Sequence, residues 1–541
     1  MAGAARQPNR TNGVDVTSQF SVNGALLNTS APVGADAMEE APASPAVERA
    51  RDYPWRDSGW LDRRLRDQPA VSPVAIYRIF PSAWRVDDRG QPLSWSALAK
   101  QLVPYAADLG FTHVELLGFD PELCTQTTAR TVENKHLCAE TGSTPGNTCA
   151  VTDHTFAEFV DQCHEGGLGV ILDWPLLGQN ERRVKEVEGR GVEDKEIEHS
   201  AIEDIRVNAL EELLPRIASY LDVFHLDGLR LELHPQLEPA GTGDTGRRDK
   251  LVQTLQNLVH SLTERFPTVM VLLENGLIDL GLDLPSSKRL LTWNTVWCEN
   301  ILAYLSEEPD IRADRHQNLV QGLNQAFDGN FVLPLADGRS SQGLSSWLER
   351  MPGDRWQRFA NLRACLGFMC AHPGKKLLGM GTEFAQGRGW RYDARLDWEL
   401  FSDPCNSGVF RLVADLNRLY VTEPALHLRD WGKDGFAWVV GDDTENSVVA
   451  FLRYGDEGMA PLLAVVNFKP VVHHAYRLGV PAMGVWRELI NSDSKFYGGS
   501  NVGNASGVRA ENIPSHGYPA SLNLTIPPLG TLLLRQGDWP A

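Results

Sequence analysis

Gly166-Gly-Leu-Gly-Val-Ile-Leu-Asp-Trp-Pro175 is an apolar run opened by glycines, stopped by a proline and carrying a single acid near its end. A strand with no polar residue before Asp173 needs cover on both faces, which is the pattern of a parallel sheet rather than a half-exposed antiparallel one. Helical periodicity flanks it over 156–166 and 205–220. Working outward, the alternation repeats. Strands are predicted over 74–80, 112–117, 169–174, 223–231, 269–274, 331–335 and 376–380, with amphipathic helices over 95–109, 251–266 and 356–371 among them. About seven or eight such units fit an α/β fold of the closed (β/α)8 TIM-barrel kind better than an open sheet.

The pattern changes on both sides of this region. Beyond residue 425, short strands are predicted over 447–453, 462–467, 473–478, 486–489, 522–526 and 531–535, divided by turns rich in Gly, Pro, Asn and Asp. That is an all-β module of the sandwich kind. Residues 1 to 50 are rich in Ala, Pro, Ser, Asn and Gly and too poor in large apolar groups to offset the entropy of ordering, so a disordered leader is expected. The expected organisation is a leader over 1–52, a barrel over 53–425 and a C-terminal all-β domain over 426–541.

Composition narrows the function. Lys plus Arg number 51 against 70 Asp plus Glu, a formal charge of −19, which opposes binding to nucleic acid or an anionic membrane surface. No window approaches the ~18 uninterrupted apolar residues of a membrane span. The first residues lack the basic start and apolar core of a secretory signal, and eight irregularly spaced cysteines suit a reducing compartment; a cytoplasmic protein is expected. Cys124, Cys138 and Cys149 with His136 lack the tight Cys pairs of structural zinc sites, so no metal site is expected there.

Barrels keep their chemistry where strands end and loops begin on the C-terminal face. Those positions hold Asp173 after the third strand, Asp227, Arg230 and Glu232 around the fourth, Glu274 after the fifth, and Asp337 with Gly338 after the seventh. Carboxylates at several strand ends suit glycoside chemistry, in which one acid protonates the leaving oxygen and a second attacks or stabilises the oxocarbenium-like centre. Arg230 and Glu232 share a face of their strand, where an arginine would keep a neighbouring carboxylate ionised. Single acids at strand ends also cap helices, so it is the set that carries the reading. Trp390 and Tyr392, in Gly387-Arg-Gly-Trp-Arg-Tyr392 after the eighth strand, are candidate sugar-stacking rings.

Several stretches together resemble the glycogen branching enzymes of the α-amylase superfamily: Phe111-Thr-His-Val-Glu-Leu-Leu117, Gly169-Val-Ile-Leu-Asp-Trp174, Phe224-His-Leu-Asp-Gly-Leu-Arg230 and Phe331-Val-Leu-Pro-Leu335. Met351-Pro-Gly-Asp-Arg-Trp356, Ala371-His-Pro-Gly-Lys-Lys-Leu-Leu378, Arg395-Leu-Asp-Trp398, Asn491-Ser-Asp-Ser494 and Tyr497-Gly-Gly-Ser-Asn-Val-Gly-Asn504 extend the likeness. The resemblance implies a barrel with a C-terminal β domain, no cofactor, and an α-glucan substrate such as glycogen or starch. It also implies cleavage of an α-1,4 bond through a covalent intermediate and re-attachment through an α-1,6 bond. The N-terminal carbohydrate-binding domain usual in that family is not expected, since about 70 residues precede the first barrel strand.

Carried over position by position, the reaction centre departs from the family. The nucleophile position, an Asp closing Gly-Leu-Arg-x-Asp, is Glu232; the acid/base position is Glu274 and is kept. The His-Asp pair after the seventh strand is Asp337-Gly338. Asp173 is kept, the histidine five residues on is Gly178, and the family's Ser-Trp-Gly-Tyr-Gln segment is not recognisable between Phe119 and Asp153. A displacement of order 1 Å in a reacting group can cost about 10²-fold in rate. Loss of a transition-state electrostatic partner costs roughly 10²–10³-fold more. The expectation is a catalytically impaired branching-enzyme-like protein that binds glucan or assembles with an active enzyme of glycogen metabolism. The alternative is an active transferase using Glu232, Glu274 and Asp337, and a third option is another reaction on a different sugar.

Overall fold

The computed structural model describes residues 45–118, 154–176, 195–232, 245–274, 281–285, 287–327, 329–336, 346–391 and 394–537. Eight strands, β1 (Ala75–Ile79), β2 (His113–Leu116), β3 (Gly169–Pro175), β4 (Gly228–Glu232), β5 (Met270–Glu274), β6 (Leu290–Trp293), β7 (Phe331–Leu335) and β8 (Lys375–Gly379), pair in parallel in chain order. The barrel closes where β8 pairs with β1. Alternation along each strand sorts the apolar side chains into two sets. Ile76, Ile171, Met270, Leu272, Leu291, Val332 and Leu377 fill the interior. Val170, Leu172, Leu229, Leu231, Val271 and Leu273 join the core beneath the surrounding helices. Burial on both faces is why these strands carry so few polar residues.

The sequence reading missed β6, whose four residues Leu290-Leu-Thr-Trp293 are too short to stand out from the flanking chain. It also started the fourth strand too early. Val223 and Phe224 finish the helix Lys195–Phe224, His225 turns the chain at φ 52°, and β4 begins only at Gly228. A Cβ at Gly228 would lie 2.9 Å from Ile171 Cγ1, so the missing side chain lets β3 and β4 approach inside the barrel. Asp227 therefore lies at the N-terminal end of β4, on the floor of the barrel, and not at the mouth where the sequence reading put it. Pro45–Ala50, inside the stretch read as leader, is helical and buries Val47 and Ala50; residues 1–44 lie outside the described residues.

Chain 51–67 crosses the barrel floor and is held there by Asp227. That carboxylate accepts from Trp60 Nε1 (2.7 Å), Arg64 Nη1 (3.1 Å) and Val170 N (2.8 Å). His164 bridges Asp57 (2.8 Å) and Asp227 (2.9 Å) with its two ring nitrogens. An imidazole that meets a carboxylate at each nitrogen is matched when doubly protonated. Burial opposes that charge, but Asp227 and Asp57 outweigh it and raise the His164 pKa above its ordinary value.

Beyond the barrel, β9 (Phe436–Asp443), β10 (Val448–Arg453), β11 (Leu462–Asn467), β12 (His473–Val480), β13 (Val485–Asn491), β14 (Gly507–Arg509), β15 (Ala520–Ile526) and β16 (Gly530–Gly537) form the all-β module. Its six-stranded sheet has the order β14-β13-β16-β11-β10-β9, and β12 pairs with β15 in a second, two-stranded sheet. Leu463, Val465, Leu532 and Leu534 of the first sheet and Leu478, Leu522 and Leu524 of the second meet in one core. The helix Arg355–Ala371 starts in a capping box, Asp354 with Gln357, and is buried from Phe359 to Ala371 because it lies between barrel and sandwich. Buried polar groups close this seam: Arg453 Nη1 donates to Ala371 O (2.7 Å) and Arg312 Nη1 to Phe468 O (2.7 Å). Asp430 takes both Lys375 (2.9 Å) and Arg453 (2.7 Å). Among the described residues no helix is long and apolar enough to cross a membrane.

Candidate active site

The barrel interior changes character toward its mouth. Below, it is aliphatic; above, β1 to β5 contribute Arg78, Glu115, Asp173, Arg230 and Glu274 at successive inward positions, and β6 contributes Trp293. The register explains the meeting. Arg78 lies beside Glu115, Asp173 beside Arg230, and Glu274 beside Trp293, each pair on neighbouring strands.

Arg230 is the centre of the group. Its Nη1 donates to Asp173 Oδ1 at 2.5 Å, its Nη2 makes a close ion pair with Glu274 Oε1, and its Nε stands 3.9 Å from Glu115 Oε1. Arg78 supports the same acids from the other side, with Nε 3.4 Å from Glu115 Oε1 and Nη2 3.8 Å from Asp173 Oδ2. Both guanidinium groups lie over the indole of Trp293, at 4.6 Å for Arg78 and 4.3 Å for Arg230, where the negative π face favours a cation. Two cations thus face three carboxylates in a space from which water is largely excluded. Removing any one member would strand a buried charge.

Three residues singled out from sequence, Asp173, Arg230 and Glu274, are brought together here. Asp173 and Arg230 are buried, whereas the Glu274 side chain keeps 14% of its surface open, so it is the member with access to the mouth. Glu232 ends β4, two residues beyond Arg230. Asp337, Gly338, Tyr392, Gly178 and the cysteines Cys124, Cys138 and Cys149 lie outside the described residues. Trp390 is half-buried, its ring stacked on Phe80 with centroids 5.7 Å apart and planes at 22°. It also lines a small recess with Trp347, Thr382, Gln386 and Arg388.

The sequence reading missed Arg78, Glu115 and Trp293. A signal existed for the first two, since an arginine inside Ala75-Ile-Tyr-Arg-Ile79 and a glutamate inside His113-Val-Glu-Leu116 are charges in strands that are otherwise buried. It also missed Glu383, a fully buried acid in the turn Thr382–Phe384 that follows β8. Tyr77 and Tyr105 both donate to its Oε1, at 2.6 and 2.8 Å, and Trp84 Nε1 donates to the Tyr77 hydroxyl at 3.0 Å. Burial lifts the Glu383 pKa to about 7 against the opposing pull of those phenols.

Comparison with known proteins agrees with this architecture. Residues 438–537 match the family model of the alpha amylase C-terminal all-beta domain. A 1,4-alpha-glucan branching enzyme (GlgB 1) of Xanthomonas axonopodis pv. citri is 39% identical over 519 residues, covering 89% of this chain and 69% of that protein. The 1,4-alpha-glucan branching enzyme of Pseudomonas putida is 36% identical over 562 residues, covering 97% and 74%. Among solved structures, a maltotetraose-bound pullulanase of Anoxybacillus superposes with a TM-score of 0.54 at 14% identity, over 86% of this chain and 71% of that one. A putative alpha amylase of Salmonella typhimurium does so with the same score and identity, over 90% and 85%. At that identity the superpositions speak to the fold alone. The extended identity over most of both chains speaks to kinship: this chain belongs to the 1,4-alpha-glucan branching enzyme family.

Proposed function

We propose that this protein binds α-1,4-glucan at the mouth of its barrel as a branching-enzyme-like member of glycogen or α-glucan metabolism, with an impaired reaction centre. It serves by holding the polysaccharide or by assembling with an active enzyme of the same pathway in the cytoplasm. The observation that carries the reading is Gly338 at the position where the family resemblance puts the second acid, since a glycine can neither accept a sugar hydroxyl nor carry charge. Glu232 at the nucleophile position and Gly178 at the histidine position point the same way. Glu274, at the acid/base position, has its Oε1 engaged by Arg230. Trp390 beside its recess supplies the ring on which a sugar face would stack.

One observation favours a second reading. Asp173, Arg230 and Glu274 meet at the mouth with Glu274 partly open, which supports, as the alternative, an active transferase using Glu232, Glu274 and Asp337. Incubation with amylose, followed by iodine spectra and chain-length analysis after debranching, separates the two. The proposed reading expects retention of amylose in affinity electrophoresis with no new branch points. Branch formation that Glu274→Gln abolishes overturns it in favour of the second.

A further inference from the structure

The turn Thr382–Phe384 is an awkward piece of chain to hold. It is entered through Gly381 at φ 90° and left through Ala385 at φ 54°, the latter a left-handed conformation that a residue with a Cβ adopts at a cost. Something must pin it, and two devices do. From one side Asn406 Nδ2 donates to Phe384 O (2.8 Å) and Ala385 O (3.0 Å). From behind, Glu383 reaches into a pocket of rings and takes the hydroxyls of Tyr77 and Tyr105. On the other face of the same turn, Gly381, Thr382, Ala385 and Gln386 line the recess shared with Trp390. Gln386 ties the turn onward, its Oε1 accepting from Asp397 N at 2.7 Å.

We propose that Glu383 is the positioning residue for the loop that carries Trp390: with a neutral carboxyl it seats the turn, and ionisation of that carboxyl loosens the seat and weakens glucan retention at the recess. The proposal rests on the reading of this mouth as a glucan site. The surroundings of Glu383 support it from every side. Tyr77 comes from β1 and Tyr105 from the helix Trp95–Asp108; burial raises the pKa of both phenols well above the ordinary value, so they remain donors throughout the neutral range. Beyond them Arg85 acts on those tyrosines, lies 5.0 Å over Trp84 and 4.0 Å over Trp398, and donates to Gln101. Among the described residues no lysine, arginine or histidine forms an ion pair with Glu383. An enclosed carboxylate without a cation is costly, and opening the turn to water relieves that cost.

The sign follows from linkage. The seated turn has the higher carboxyl pKa, about 7 against 4.5 when exposed, so seating is strongest below the exposed value and is lost as pH rises through the seated one. Hydrogen exchange of peptides covering residues 380–391, corrected for intrinsic rates, reads this between pH 5 and 8.5. Wild type should lose protection by up to about 10²-fold across the window. Glu383→Gln, neutral and able to accept the same hydroxyls, should show a flat profile. Tyr105→Phe, which removes a donor that lowers the Glu383 pKa, should move the midpoint upward. Matching profiles in wild type and Glu383→Gln overturn the proposal, as does a loss shared equally by the helix Arg355–Ala371, which would mark global opening. Amylose affinity electrophoresis at pH 5.5 and 8 completes the test. Retention that weakens at pH 8 in wild type and not in Glu383→Gln supports it; equal retention at both pH values despite the exchange transition overturns the link to the recess. An exchange transition with no amylose retention at either pH supports the seating role and overturns the glucan reading instead.

Discussion

The two ends of the barrel use the same chemical groups in opposite ways. At the floor, Asp57 and Asp227 meet a full set of donors: His164 between them, His225 on Asp57, and Arg64, Trp60 and a main-chain amide on Asp227. Burial works against their charge, but these partners win and hold both carboxyls well below the usual range. At the mouth, Glu115, Asp173 and Glu274 gather around Arg78 and Arg230, and Glu383 sits enclosed, taking the hydroxyls of Tyr77 and Tyr105. The floor's charges are matched by their neighbours and serve to fasten chain 51–67 to the barrel. The mouth's include Glu383, whose carboxyl pKa is lifted by burial to about 7, so that its protonation state can alter the structure around it. The same pattern returns at the seam with the sandwich, where Asp430 answers Lys375 and Arg453 and acts as a fastener.

The contrast can be broken by experiment, most forcefully at the floor. Asp227→Ala leaves Arg64 and His164 without their shared acid and should cost about 3–5 kcal/mol in urea-unfolding stability. A loss below ~1 kcal/mol would show that the floor is not the fastener its hydrogen bonds imply. Arg230→Met should cost somewhat less, roughly 3 kcal/mol, because Arg78 still faces Glu115 and Asp173; the same variant should abolish amylose retention. A smaller effect, about 1.5–3 kcal/mol, is expected for His164→Gln at pH 5.5. Because the folded pKa of His164 lies above its ordinary 6.5, its contribution is fully present below that value and fades as pH rises through the folded one. The difference between wild type and His164→Gln should therefore shrink by pH 9. Stability curves that stay parallel across this range would remove His164 from the clamp.

Smallest is the effect at the seam. Burial lowers the Lys376 pKa to about 7, its ammonium donating to main-chain carbonyls with Tyr420 beneath it. The unfolded chain binds the proton more tightly, so wild-type stability should rise with pH between 7 and 10.5. Lys376→Met should flatten that rise while staying within ~1 kcal/mol of wild type at pH 7. A steep fall in stability at neutral pH would mean that the ammonium's hydrogen bonds, and not its desolvation, dominate.

Legibility followed the range of the interaction. Strands such as Gly169-Val-Ile-Leu-Asp-Trp174 announce themselves because burial on both faces leaves no room for polar residues. Asp173 and Glu274 stand out at their ends for the same reason, and the two-residue period puts Arg230 and Glu232 on one face. β6 failed this test by brevity. β9 and β14 were missed as well, although β9 opens with the apolar run Phe436–Val440; β14 has only three residues.

What the sequence determined by itself is therefore the alternation that makes a barrel followed by a sandwich, the family kinship, and the presence of Glu232, Gly178 and Gly338 on which the proposed impairment rests. All of these are carried by residue identity and near-neighbour spacing. The tertiary structure alone decided which charges meet: Arg78 with Glu115, Arg230 with Asp173 and Glu274, and Tyr77 and Tyr105 with Glu383, which lies 306 and 278 residues further along the chain. Coulomb and hydrogen-bond energies depend on distance through space and on the water excluded around the pair. Neither quantity exists until the chain has closed upon itself.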